Sequence, residues 1–104
     1  MKYLVLIAFS LDKNGNFRAL GAGTKSCGAF VEDYQEDGWG KLINSAWVGG
    51  YFTAINEHLY LGENVANETD SAARNLLIYN YCKQNPLDSL QSATSYIFKL
   101  LLSR

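Results

Sequence analysis

The chain has 104 residues, 48% of them hydrophobic, with ten acidic against nine basic side chains and a net charge of −1. That is material for one domain with a small core. The balanced charge and the lack of any Lys/Arg run weigh against nucleic acid as a partner, and no segment has the length and apolarity of a membrane span.

Residues 1–20 form an N-terminal stub with two readings. Lys2 followed by the apolar Tyr3–Phe9 run, with small side chains at Ala8 and Ser10, has the outline of a secretory leader, though a short one. The run to Leu11, the turn signal Asp12-Lys13-Asn14-Gly15 and the return Asn16–Leu20 equally describe a short β-hairpin. The string Gly21-Ala22-Gly23-Thr24-Lys25-Ser26 evokes a phosphate loop but lacks its spacing, because Thr precedes Lys. It reads as a lead-in to a helix.

A first helix starts after Thr24 or Ser26, either of which can cap it. Cys27, Phe30, Val31 and Tyr34 recur at the spacing of one buried face, while Glu32, Asp33, Gln35 and Glu36 occupy the other side. Asp37-Gly38 ends the helix, with Gly38 suited to a left-handed cap. The central helix, Leu42–Leu61, is the segment around which the domain is organised. Its expected core stripe is Ile43, Trp47, Tyr51, Ala54 and Ile55. Gly49-Gly50 inside it costs about 1 kcal/mol per residue against alanine, so a second helix is expected to pack close at that notch; a break into two helices is the alternative.

Glu63–Asp70 reads as a loop, with Thr69 or Asp70 capping a third helix over Ser71–Gln84. Ala73, Leu76, Leu77, Tyr79, Tyr81 and Cys82 cover most of its circumference, which predicts a helix sandwiched between others. Asn85-Pro86 stops it. In the fourth helix Asp88 is the expected cap, with Gln91 reaching back as in a capping box, and Leu90, Ala93, Ile97 and Leu100 or Leu101 form the buried stripe.

No constellation supports catalysis or a metal. The two cysteines, Cys27 and Cys82, match no zinc spacing. Their residues leave a disulfide and a pair of buried free thiols equally open. His58, the single histidine, lacks an activated nucleophile beside it and reads as a polar group at the helix edge. Glu32, Asp33, Glu36 and Asp37 lack calcium-loop alternation and read as a solvated face, one that suits a basic partner. Asn67-Glu68-Thr69 has the pattern of a glycosylation sequon, which carries weight only in a eukaryotic secretory setting. Trp39, between two glycines, is expected to be partly exposed, and Trp47 to be core. Aromatics in excess of core need suit protein interfaces.

Three stretches carry a resemblance: GAGTKSCGAFVEDYQ with SCG at the first cysteine, WVGGYFTAINEHL in the central helix, and YCKQNPLDSLQSA at the second cysteine. Together they resemble the Rap/Tai-type immunity proteins, a family of small bacterial proteins similar in architecture to HdeA-type acid-stress chaperones. The resemblance covers about residues 21–101. It implies an all-α, four-helix domain over residues 21–104, a Cys27–Cys82 disulfide, and no cofactor. It also implies a periplasmic protein that binds and neutralises a peptidoglycan-cleaving effector of type VI secretion, such as a secreted amidase. Members carry a full leader ahead of the SCG segment; if the stub here is a hairpin, the expectation becomes a cytoplasmic protein inhibitor on the same fold. An HdeA-like chaperone is the other alternative. The surface expected to meet the partner is Tyr34, Glu36, Asp37 and Trp39, and a homodimer is compatible with the fold.

Overall fold

Ser26 begins the first helix. Its hydroxyl accepts from the Ala29 N–H at 3.1 Å, satisfying a donor that the helix itself leaves unpaired. The computed structural model describes residues 20–58 and 70–103, with the backbone alone of Asn56 and His58. The hairpin and leader readings of the stub, the Asn67 sequon and nearly all of the Glu63–Asp70 loop lie outside the described residues.

A 3₁₀ turn over Gly21–Thr24 leads into four α-helices: α1 Cys27–Glu36, α2 Trp39–His58, α3 Ser71–Gln84 and α4 Leu90–Leu102. Among the described residues there is no strand, only an isolated bridge between Ser26 and Ser89. The described residues form an all-α, four-helix domain, as the sequence predicts. α3 packs on α1, α2 and α4, and the 3₁₀ turn lies against α2 and α4. No described helix is long and apolar enough to cross a membrane.

The core is built from Cys27 and Phe30 of α1, Val48, Phe52 and Ile55 of α2, Ile78 and Cys82 of α3, and Leu90, Ala93, Ile97 and Leu101 of α4. The sulfurs of Cys27 and Cys82 are bonded, with Cα atoms 4.7 Å apart and neither residue exposed. The disulfide ties the first turn of α1 to the last turn of α3.

Several local expectations change. α2 begins at Trp39, three residues before the expected start, and runs through Gly49-Gly50 without a break. Among the described residues nothing lies within 4 Å of a Cβ built at either glycine, so no helix packs close there. The close approaches occur at Gly23 and Gly40 instead. The buried stripe of α2 is Asn44, Val48, Phe52 and Ile55, while Ile43 is 54% exposed and Ala54 faces solvent. The stripe is thus rotated by one residue, about 100°, because Asn44 is drawn inward by polar partners. Trp47 is half-buried against the core rather than within it.

Asp33 leaves the solvated acidic face for the same reason. Asp37, not Gly38, takes the left-handed cap position, with φ 58° and ψ 41°; a short polar side chain tolerates that region better than most. In α3 the fully buried residues are Ile78 and Cys82, and Leu76 is 48% exposed, so the helix is sandwiched on part of its surface only. Ser89 rather than Asp88 caps α4, accepting from the Ser92 N–H at 3.0 Å. Asp88 is otherwise engaged, as the acceptor of the Tyr81 hydroxyl. Leu101 is buried and Leu100 is 46% exposed, which resolves the choice between them.

Candidate functional site: the α1–α2 corner

The left-handed turn at Asp37 reverses the chain between α1 and α2 and sets Glu36, Asp37 and Trp39 on one exposed corner. Trp39 is 78% exposed, an unusual state for so large an apolar side chain. Leu42 and Ile43, three and four residues on, share its side of the helix and are also more than half exposed. Gly38, Trp39 and Leu42 line a shallow apolar hollow of about 300 Å³. Leu42 and Ile43 were not among the residues expected at a surface. α2 is apolar on both sides, and hydrophobicity alone does not say which side is covered.

Tyr34, in the last turn of α1, is partly buried and packs against the core. Its ring stacks on Tyr79 of α3, with centroids 4.1 Å apart and an interplanar angle of 19°. The Lys41 ammonium lies 4.3 Å from the Tyr34 centroid and also pairs with Asp37 at 3.2 Å. Gln35 donates to the Tyr79 hydroxyl at 3.1 Å, and Lys83 covers the Tyr79 ring at 4.8 Å. The two tyrosines and two lysines therefore form a layered support that joins α1, α2 and α3. Glu36 stays exposed at the end of α1.

A polar centre fixes the corner from inside. Lys25 donates to Asp33 at 2.7 Å and to Asn44 at 3.0 Å, and the Asn44 amide donates to the same Asp33 oxygen at 3.0 Å. Asn44 is fully buried, and the Lys25 and Asp33 side chains keep about a quarter of their surface exposed. The carboxylate fits because residue 40 is glycine: a Cβ there would stand 2.6 Å from the Asp33 carboxyl carbon. The bond from Lys25, then that from Asn44, holds the Asp33 carboxyl below its ordinary value of 3.8, against the opposing effect of burial. Lys25, Asp33 and Asn44 each bond the other two, so the triangle locks three segments together beneath the corner.

The turn between α3 and α4 is also held tightly. The Gly28 N–H donates to Pro86 O at 3.0 Å, the Cys27 N–H to Asp88 O at 2.6 Å and the Leu90 N–H to Lys25 O at 2.8 Å. The Asp88 carboxylate accepts the Tyr81 hydroxyl, and that bond raises the Tyr81 phenol above its ordinary 10.0. At the tip of this turn Leu87 is 97% exposed. Among the described residues no three His, Cys, Asp or Glu side chains lie close enough to hold a metal ion. His58 ends α2, and its side chain lies outside the described atoms.

No family model, no curated protein and no solved structure matches the chain.

Proposed function

We propose that this protein is a non-enzymatic, protein-binding domain of the immunity type, which neutralises a peptidoglycan-cleaving effector by covering its active site. The observation that carries the reading is Trp39. A 78% exposed indole beside exposed Leu42 and Ile43 is an apolar patch on a rigidly supported corner. Burying such a side chain in a partner is the typical core of an interface, and Trp is the residue type most enriched at hot spots. Exposed Glu36 and Asp37, at the turn just before Trp39, set acidic groups beside the patch, which fits a partner surface with a basic rim. The three motifs that resemble the Rap/Tai-type family supply the class of partner. A Cys27–Cys82 disulfide agrees with work in an oxidising compartment such as the periplasm.

The test is recovery of a stoichiometric partner from the native host on tagged full-length protein. An assay of that partner's cell-wall hydrolysis follows, with and without the bait. The expected result is inhibition at a one-to-one ratio that Trp39→Ala weakens by roughly thirtyfold or more, as for a hot-spot tryptophan, without a change in Tm. A partner whose hydrolysis is unaffected, or inhibition indifferent to Trp39→Ala, rejects the reading. Capture of many unfolded clients only at acid pH supports a chaperone instead.

A further inference from the structure

The hollow beside Trp39 joins an apolar floor to an acidic edge. Gly38, Trp39 and Leu42 line it, and the indole is 78% exposed. Glu36 and Asp37, both exposed, stand at the turn just before it. Nothing in the fold demands a glycine at residue 38. Its φ is not positive, and among the described residues a Cβ built there meets nothing within 4 Å. Its bare backbone leaves the indole open to a neighbour.

The charge at this turn is uneven. Lys41 lies over the Tyr34 ring and pairs with Oδ1 of Asp37 at 3.2 Å. Lys83 lies over the Tyr79 ring. The two rings stack 4.1 Å apart, too close to admit an ammonium, so each lysine covers the outer face of its own ring. Lys83 is thus set apart from Lys41 by both tyrosines. At the turn itself two carboxylates face the single ammonium of Lys41. Among the described residues Glu36 has no ion pair, and Asp37 shares only one of its oxygens.

A surplus carboxylate beside an exposed indole selects one kind of side chain. A cation over an aromatic face is attracted by the ring quadrupole, most strongly over Trp. A carboxylate at the same place adds a charge-assisted hydrogen bond. Arginine uses both at once. Its planar guanidinium can lie flat on the ring while its donors reach the carboxylates, and its carbon stem covers apolar surface such as Leu42. A lysine ammonium is compact, more strongly hydrated and has no plane to stack. A purely apolar side chain leaves the acidic edge unused.

We propose that the corner takes an arginine side chain of the partner protein, its guanidinium stacked on Trp39 and hydrogen-bonded to Glu36 and to the uncommitted oxygen of Asp37. That this arginine belongs to a cell-wall-cleaving effector rests on the function proposed above. The arginine site itself does not, and it is tested on the protein alone.

The experiment is a titration of the full oxidised, ¹⁵N-labelled chain with N-acetyl-arginine amide, followed through the two indole N–H signals. Trp39→Ala identifies the Trp39 signal by its loss. The Trp47 N–H donates to Leu20 O and serves as the internal control. The expected result is a saturable shift of the Trp39 signal with Trp47 unmoved. The citrulline analogue, the same shape without the charge, and the lysine analogue should each bind at least threefold more weakly. Glu36→Gln and Asp37→Asn should each weaken arginine binding about two- to fivefold, the range of an exposed ion pair. Asn tolerates the left-handed position as Asp does, so the turn is kept. A Trp39 signal that does not respond overturns the proposal. So does equal binding of arginine and citrulline, indifference to both substitutions, or equal movement of Trp47. Effector inhibition that depends on Trp39 without any arginine binding would reject this site and leave the proposed function standing; arginine binding without an effector would do the reverse.

Discussion

The indole of Trp47 occupies the space that a side chain at residue 23 would need. A Cβ built on Gly23 falls inside the contact distance of the ring atoms Cζ2, Cε2 and Cη2. The ring is not free to swing away. Its N–H donates to Leu20 O at 2.8 Å, and it packs against Tyr51 with centroids 5.7 Å apart. Trp47 thereby clamps the chain that enters the fold. Gly23→Ala is expected to destabilise by about 1–3 kcal/mol, the usual range for overpacking. In a Trp47→Leu background the same substitution should cost much less, because the obstacle is gone. Chemical denaturation of the four proteins of this cycle measures the coupling; additive costs would show that the clash is not with Trp47.

Asp33 gives the fold an acid limb whose sign follows from its lowered pKa. The folded value lies below 3.8, so the unfolded chain takes up the proton first. The stability that this difference supplies is complete above the unfolded value and is lost as pH falls through the folded one. The loss should therefore begin below about pH 5 and leave neutral pH untouched. Asp33→Asn removes that component, giving a shallower decline in acid together with a loss of about 1–3 kcal/mol at pH 7, because Lys25 and Asn44 lose a charged acceptor. Gly40→Ala should act in the same direction by displacing the carboxylate. Thermal melts from pH 7 to pH 3 check both; parallel curves for wild type and Asp33→Asn would rule out this origin for the acid limb.

These two sites also show what the sequence carries and what it does not. The limits of α3 are legible because each signal is local: Asp70 accepts from the Ala73 N–H, and Asn85-Pro86 cannot continue a helix. Ser26 as the cap of α1 is legible for the same reason. The rotation of α2 is not. Asn44 turns inward because Lys25 and Asp33, from two other segments, meet there, and no window of α2 contains that information. The exchange of Ser89 for Asp88 at the start of α4 has the same cause, since Tyr81 claims the Asp88 carboxylate from the previous helix. At the candidate site, the exposure of Trp39 is readable from its two flanking glycines. The exposure of Leu42 and Ile43 is not readable, because α2 carries apolar residues on both sides and packing alone selects the covered one.

Cys27 and Cys82 close a long loop, and the cost of opening it is the largest single effect expected in this domain. The separation of 55 residues corresponds to about 4 kcal/mol in the chain-entropy model, against a total of about 5–15 kcal/mol for a typical native protein. Both residues are fully buried, and the bond lies beside the backbone bridge between Lys25, Ser26 and the 86–90 segment. Reduction therefore frees the first turn of α1 and the Leu87 turn together. The Cys27→Ala, Cys82→Ala double variant should fold only marginally at neutral pH, with a midpoint of denaturation lowered to match that loss. Amide exchange should rise first at Cys27, Gly28 and Leu90, whose N–H groups bond across the junction. Wild type treated with reductant under native conditions should resist until the fold opens, because neither sulfur is exposed. Rapid reduction without unfolding, or a double variant as stable as wild type, would show that helix packing and the backbone bridge hold the junction without the disulfide.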